Sequence, residues 1–473
     1  MNFFSLKLTG IAALSLTSAC MNENNRDITL PNVIFIYCDD LGYGDLACYG
    51  SEIHKTPNLD RMAEEGMLFT DFHVTSGVCT PSRSSLMTGC YSQRVDMEVN
   101  ARPWGAVGRQ VLFPMAKKGL NPDEITIAEL LKQKGYATAC IGKWHLGDQA
   151  PFLPMEQGFD YYYGIPYSND MNREYCPLPL MRNNEVIEAP VDQNTITRRY
   201  TEEAIKFIAE NKTSPFFVYL PHAMTHNPLY AGEKFRGKSE NGIYGDAVLE
   251  LDWSTGQILD YLRENNLAEN TLVVFSSDNG AASRWGGSNE PLAGWKGSTL
   301  EGGMRVPCIM WLPGTIPANS TSHALTSTMD ILPTLANMTG AVLPGDRIID
   351  GHDITEILKG ESEESPYNYF YYYQLDQLKA IRKGDYKLHL ALDSMYLNIH
   401  RATMQGGREM KLVNLKTDLK ETSDISDQHP EIVKELMEEA DRIRQELGDI
   451  GYEGEKVRPA AIVEDPVCQS AKQ

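Results

Sequence analysis

The stretch from Asn32 to Asp40 reads NVIFIYCDD, seven residues dominated by apolar side chains followed by two acids. A short apolar run without alternation suits a strand buried on both faces, as in α/β sheets covered by helices. The same plan recurs along the chain. ITIAELLKQKGYATACIGKWH predicts a helix, a stop at Gly135, a strand, and a polar end at Lys143 and His145. TEEAIKFIAENKTSPFFVYLPHAMTH repeats it with His222 and His226 at the end, and GDAVLELDWSTGQILDYLRENNLAENTLVVFSSDNG repeats it with Asp278 and Asn279. After the first strand, TPNLDRMAEEGMLF predicts a helix capped by Thr56 and begun by Pro57. Alternating helix and buried strand implies a mainly parallel sheet, and ligands bind beyond the carboxyl ends of such strands. Asp39, Asp40, Lys143, His145, His222, His226, Asp278 and Asn279 should therefore meet at one sheet edge.

From about Tyr367 the pattern changes. YNYFYYYQ, LKAIRKGDYKLHLA and MKLVNL are short runs joined by turn residues, as in an antiparallel sheet, and HPEIVKELMEEADRIRQELG predicts a helix ended by Gly448. The 473 residues thus divide into a large α/β domain at 31–366, a small α+β domain at 367–451, and a tail or surface strap at 452–473.

Residues 1–20 read as an export signal. Lys7 gives a positive start, and LTGIAALSLTSAC is a short apolar segment ending in small residues at Cys20. The end resembles a bacterial lipobox with Thr17 as a departure, which predicts a lipid anchor at Cys20, with a cleaved signal peptide as the alternative. Residues 21–30 would be a polar tether. The expected location is the bacterial periplasm, or the outer membrane as a lipoprotein. The net charge of -21 lacks the basic footprint of a nucleic-acid binder. Nine cysteines in an exported chain permit disulfides, but their spacing predicts no pairing and no zinc site.

Asp39-Asp40 and Asp278-Asn279 offer hard oxygen ligands suited to calcium or magnesium. Each pair alone could equally be turn chemistry, but each directly follows an apolar strand. Arg83, Lys143, His145, Lys296 and either His222 or His226 could bind an anionic oxygen and exchange protons. Cys79 is out of place for a structural thiol, which packs as a small hydrophobe. It stands in SGVCTPSRSSLMTG, among small polar residues.

CTPSR followed by SSLMTG, with TPNLDRMAEEGMLF before it and GKWHLG, SDNG and EGGMRVP after it, resembles the formylglycine-dependent type I sulfatases of the alkaline phosphatase superfamily. GFDYYYGIPYSND is similar to the arylsulfatase A branch, and YGDAVLELDWSTGQIL to the N-acetylgalactosamine-6-sulfatase branch. The resemblance spans roughly Asn32 to Leu447. It implies a large mixed-sheet α/β domain and a smaller C-terminal domain with a four-stranded antiparallel sheet.

The resemblance further implies that Cys79 is oxidised to Cα-formylglycine by a formylglycine-generating or anaerobic sulfatase-maturating enzyme. It implies one calcium ion held by Asp39, Asp40, Asp278, Asn279 and residue 79. Arg83 would orient the formylglycine, Lys143 and Lys296 would bind sulfate, and His145 would partner the formylglycine hydroxyl. His226 would protonate the leaving oxygen, with His222 in reserve. Ser168 matches a sulfate-proximal serine. Candidate sugar-reading residues are Arg102, Trp104, Asn169, Asp170, Arg173, Arg284 and Trp285. The expected activity is sulfate-ester hydrolysis on a terminal galactose-configured sugar. IPYSND favours 3-O-sulfated galactose over a 6-sulfated N-acetylgalactosamine or galactose. A phosphatase or phosphodiesterase of the superfamily and a non-catalytic binder of sulfated glycans are the competing readings.

Overall fold

The computed structural model describes Met1 and residues 30–98, 110–396 and 404–470. The export signal, Cys20, most of the tether, Arg102 and Trp104 lie outside the described residues. No helix among the described residues is long and apolar enough to cross a membrane.

A ten-stranded sheet forms the centre. Edge to edge it runs Ser320–Ser322, Met67–Phe69, Cys308–Trp311, Thr271–Ser277, Asn32–Cys38, Phe216–Pro221, Ala137–Lys143, Tyr161–Ile165, Leu180–Arg182 and Glu185–Glu188. The five strands from Thr271–Ser277 to Tyr161–Ile165 are mutually parallel. Antiparallel strands flank them, which makes the sheet mixed. The Asn32–Cys38 strand is buried at every position. Val33, Phe35 and Tyr37 join one core and Ile34, Ile36 and Cys38 the other, so its unbroken apolar run serves two helical layers.

The predicted helices α1 (Pro57–Glu64), α3 (Ile127–Lys132), α4 (Ile196–Asn211) and α5 (Gly242–Glu264) feed these strands, and the structure adds a helix that the sequence reading did not name, α2 (Cys79–Thr88). Thr126 and Glu129 form a capping box on α3. Thr56 does not cap α1 through its side chain; its hydroxyl instead donates to Asp60 and accepts from the Ala47 amide.

The C-terminal part builds a second, four-stranded antiparallel sheet of Phe370–Gln374, Gln377–Lys383, Tyr386–His389 and Lys411–Asn414, with the helix Pro430–Leu447 against it. Phe370, Tyr372 and Leu436 share one apolar cluster with Val33 and Phe35, so the two parts pack on common core. The last segment is a strap. Ala461–Ile462 pairs with Lys118–Gly119, and Cys468 forms a disulfide with Cys176, a pairing that the cysteine spacing did not disclose.

Gly142, just before Lys143, has φ 139°, and a Cβ there would lie 1.9 Å from the Pro221 carbonyl oxygen. Gly135 also has positive φ, but a Cβ there would meet nothing within 4 Å. Gly142→Ala should destabilise the protein by roughly 1–3 kcal/mol through overpacking and displace Lys143, while Gly135→Ala should cost less. Thermal unfolding midpoints of the two variants check this; equal losses would refute the close-approach explanation.

Candidate active site

The carboxyl ends of the central strands carry Asp39-Asp40, Lys143 to His145 and Asp278-Asn279, as the alternation predicts. Helix α2 points its first residue, Cys79, into this cluster. All ten residues of α2 are buried despite their polarity, so each polar atom needs a partner. Thr80 donates to the His145 carbonyl and accepts from the Leu112 amide, both at 3.1 Å. Ser82 pairs with Tyr37 at 3.1 Å, and Ser84 and Ser85 both donate to the Pro81 carbonyl. Gly89 closes the helix with φ 68°, where a Cβ would press on Leu332 and Ile349. The small polar residues after Cys79 thus find partners within the helix and the segments packed on it, which lets α2 be buried beneath the sheet edge.

Arg83 donates to one Asp278 oxygen from Nε (3.0 Å) and Nη2 (2.7 Å), and from Nη1 to the Lys143 carbonyl (2.9 Å). Lys143 donates to Asp39 Oδ2 at 2.5 Å and to Ser168 at 3.2 Å. Lys296 donates to Asp40 Oδ2 at 2.8 Å and lies 3.8 Å from Cys79 Sγ. Asn279 donates to Asp40 Oδ1 at 2.7 Å. Lys143 is fully buried, not a solvated lysine beside Trp144.

Burial pushes the Cys79 thiol well above its ordinary value, against the pull of Lys143 and Lys296, so the unmodified side chain is a neutral thiol. Burial opposes ionisation of Asp39, but Lys143, His226, Arg83 and Lys296 together hold it well below the usual carboxylate range. Burial and the Asp39 carboxylate raise Asp278 to about 7, against Arg83. Burial and Lys143 lower His145, which is therefore neutral.

The carboxylates of Asp39 and Asp40 and the amide oxygen of Asn279 suit a hard divalent cation, whereas the unoxidised Cys79 sulfur does not. Ligand atoms of Asp39, Asp40, Cys79 and His226 lie within 4.8 Å of one another, and the buried Asn279 Oδ1 has no hydrogen-bond partner. Three carboxylates face three cations here, so a divalent ion would leave the site positive and suited to an anionic ester. A second group, Asp71, His73 and Glu301, also has metal-like spacing. Arg382 and Arg305 already face Asp71, and Lys387 faces both Glu301 and Glu421, so three cations meet three acids in a charge-balanced joint.

A small pocket of about 30 Å³ opens over Cys79. His145, Ser168, Asp170, His226 and Lys296 supply its polar wall. Val78, Val111, Phe113 and Met171 supply an apolar wall that sequence reasoning missed, because apolar residues in separate segments carry no local signal. His145 bonds the Leu112 carbonyl through Nε2 (2.9 Å) and leaves Nδ1 unpartnered.

Several candidates are placed elsewhere. His222 is fully buried, 3.2 Å from Ser254 and packed on the Tyr200 ring, and does not line the cavity. Its place on the opposite core layer follows from strand alternation at Phe216–Pro221. Asn169 turns to His226 Nδ1 at 2.9 Å instead of lining the cavity. Arg173 folds back onto the Asp170 and Asn172 carbonyls. Arg284 and Trp285 are exposed and do not line the cavity either.

Residues 31–341 match the sulfatase family model, and residues 295–446 match one described as N-sulphoglucosamine sulphohydrolase, C-terminal. N-acetylgalactosamine-6-sulfatase of Canis lupus familiaris is 41% identical over 379 residues, covering 76% of this chain and 71% of that one. Among solved structures, one from a Bacteroides thetaiotaomicron core locus for metabolism of multiple glycosaminoglycans aligns with a TM-score of 0.77 at 28% identity, covering 88% of this chain and 100% of that one. Ps i-CgsB in complex with k-i-k-neocarrahexaose aligns with a TM-score of 0.75 at 29% identity, covering 88% and 93%. With Cys79, its acids and its cations gathered in one buried site, the chain belongs to the sulfatase family and is a sulfuric ester hydrolase.

Proposed function

We propose that the protein hydrolyses a sulfate ester on a galactose-configured sugar, using Cα-formylglycine at position 79 and one calcium ion. The observation that carries this is the placement of Lys143 and Lys296 on either side of the Cys79 end of α2, with Asp39, Asp40 and Asp278 behind them. The sugar class is supported by the N-acetylgalactosamine-6-sulfatase relative and by the carbohydrate complex of Ps i-CgsB. That relative favours a 6-sulfate. The IPYSND segment supports a 3-O-sulfate as the second reading.

Asp39, Asp40, Asp278 and Asn279 would hold the cation. The oxidised and hydrated residue would supply an oxygen nucleophile, whose pKa a cation held there would lower. Lys143 and Lys296 bind the sulfate oxygens and spread their charge in a pre-organised site. Arg83 fixes Asp278 and the first turn of α2. His226, whose Nδ1 proton is held by acceptors, would take a second proton at Nε2 and, as the imidazolium, give it to the departing sugar oxygen, because an alkoxide leaves poorly without one. His145 Nδ1, neutral and unpartnered, would accept the proton of the second hydroxyl of the hydrated aldehyde, so that the C=O bond reforms and sulfate is expelled. The Val111, Phe113 and Met171 wall excludes water. Asp170 lines the cavity with an unpartnered Oδ1, in place to accept from a sugar hydroxyl.

Conversion of Cys79 requires a maturating enzyme to reach α2 before it is buried. Export is supported by the Cys176–Cys468 disulfide, since disulfides persist in oxidising compartments.

Three tests follow from this reading. Sulfate release from 3-, 4- and 6-O-sulfated galactose and N-acetylgalactosamine, against 6-O-sulfated glucosamine, should be confined to the galactose-configured sugars. Release from glucosamine alone would overturn the assignment. Protein made with a maturating enzyme should give a residue-79 peptide bearing an aldehyde by mass spectrometry, and a free thiol in active protein would exclude the proposed nucleophile. Elemental analysis should find one calcium per chain, and Asp39→Ala should lose the metal with at least a hundredfold fall in turnover. Two zinc ions, or full activity after exhaustive chelation, would contradict it.

A further inference from the structure

The hydrogen bonds around His226 form a chain whose direction is fixed at both ends. Gln193, in the turn before α4, is buried and faces Asn169 with both ends of its amide. Its Nε2 donates to the Asn169 main-chain carbonyl at 3.1 Å. A carbonyl only accepts, so that end of Gln193 must be the NH2. The other end, Oε1, then accepts from Asn169 Nδ2 at 3.1 Å. Asn169 Nδ2 also meets the Pro228 carbonyl at 2.9 Å and the His226 carbonyl at 3.4 Å, which accept only. Flipping the Asn169 amide would set its oxygen against three acceptors. Its Oδ1 is therefore held toward His226 Nδ1 at 2.9 Å, and that nitrogen must carry a proton. The Asn227 carbonyl, at 2.6 Å, asks for the same proton. Nε2 is left as the nitrogen on the side of Asp40, 3.8 Å from its Oδ2, with the ring at the cavity wall.

We infer that Gln193, acting through Asn169, is a positioning residue for this reaction: the pair fixes the orientation and tautomer of His226 so that Nε2 faces the leaving group. The inference rests on the reading of His226 as the leaving-group acid. Asn227 belongs to the same short segment as His226, whereas Asn169 and Gln193 tie the ring to two other segments and so set its angle. Asn169 thereby acts behind the histidine, and the sugar contacts fall to Asp170 next to it. Replacing Gln193 by leucine keeps the bulk and removes both bonds. The Asn169 amide is then free to turn, and the ring with it.

The test compares kcat/KM on a sugar sulfate and on nitrophenyl sulfate, whose phenolate leaves without a proton. Gln193→Leu and Asn169→Leu should lower the sugar-to-aryl ratio about tenfold or more, within the range of general-acid effects, chiefly through kcat. His226→Ala should lower the ratio at least as far, and adding Asn169→Leu to it should lower it no further. In the protein with Cys79 unconverted, 15N spectra of labelled histidine should show the neutral His226 protonated at Nδ1, and Gln193→Leu should mix the tautomers. An unchanged ratio in both leucine variants, alongside a lowered ratio in His226→Ala, would overturn the positioning role while leaving the acid. An unchanged ratio in His226→Ala would overturn the acid itself. A neutral wild-type ring protonated at Nε2 and bare at Nδ1 would also refute the inference.

Discussion

The contact between Arg83 and Asp278 is the one on which the site depends. Both side chains are fully buried, and the guanidinium spans Asp278 and the Lys143 carbonyl. It thereby joins α2 to two strands of the central sheet. Removing one partner of such a pair leaves a buried charge uncompensated, at a cost of about 3–5 kcal/mol. The pair also decides where Cys79 sits, because Arg83 lies one turn along the same helix. Once that turn is fixed, Asp39 and Lys143 can be matched across the gap, and the cluster of like-charged acids becomes tolerable.

Lys296 comes to the site from a different direction, and the small C-terminal sheet holds its segment. Gln374 donates to the Gly297 carbonyl at 2.7 Å. Lys387 reaches the Thr299 carbonyl at 2.8 Å and Glu301 at 2.9 Å, and stands 3.9 Å over the Tyr372 ring. Gly297 itself donates to the Gly77 carbonyl, two residues before Cys79. The second domain is thus part of the site's scaffold, and its buried polar and charged side chains serve to place a lysine 78 to 91 residues earlier in the chain. On the opposite side the C-terminal strap grips the segment after Asp170. The disulfide at Cys176 and the Val467–Gln149 amide bonds anchor it.

Much of this arrangement is legible in the sequence. Unbroken apolar runs between amphipathic helices specify a buried parallel sheet, since a strand covered on both faces cannot carry polar side chains along its length. The residues that end those runs, Asp39, Asp40, Lys143 and Asp278, are forced to one edge by the common direction of the strands. Helix α2 is also encoded locally, by Pro81 in its first turn and Gly89 at its end. The roles of His222 and His226 were not decided by proximity in sequence. Only three residues lie between them, but His222 follows the strand directly and packs inside, while His226 lies beyond it and reaches the cavity.

The sequence by itself determined the strand order's raw material, the chemical types in the site, and the motif around Cys79, because these depend on local periodicity and residue identity. Only the tertiary structure decided which partners those residues take. Asn169 faces His226 and not the cavity because Gln193 and the Pro228 carbonyl claim its NH2. Val111, Phe113 and Met171 form a wall because two segments distant in the chain close over the start of α2. Cys176 pairs with Cys468 across 292 residues because the strap returns to the sheet's far side. Each of these is a contact between separate segments, and no window of sequence contains both halves of it.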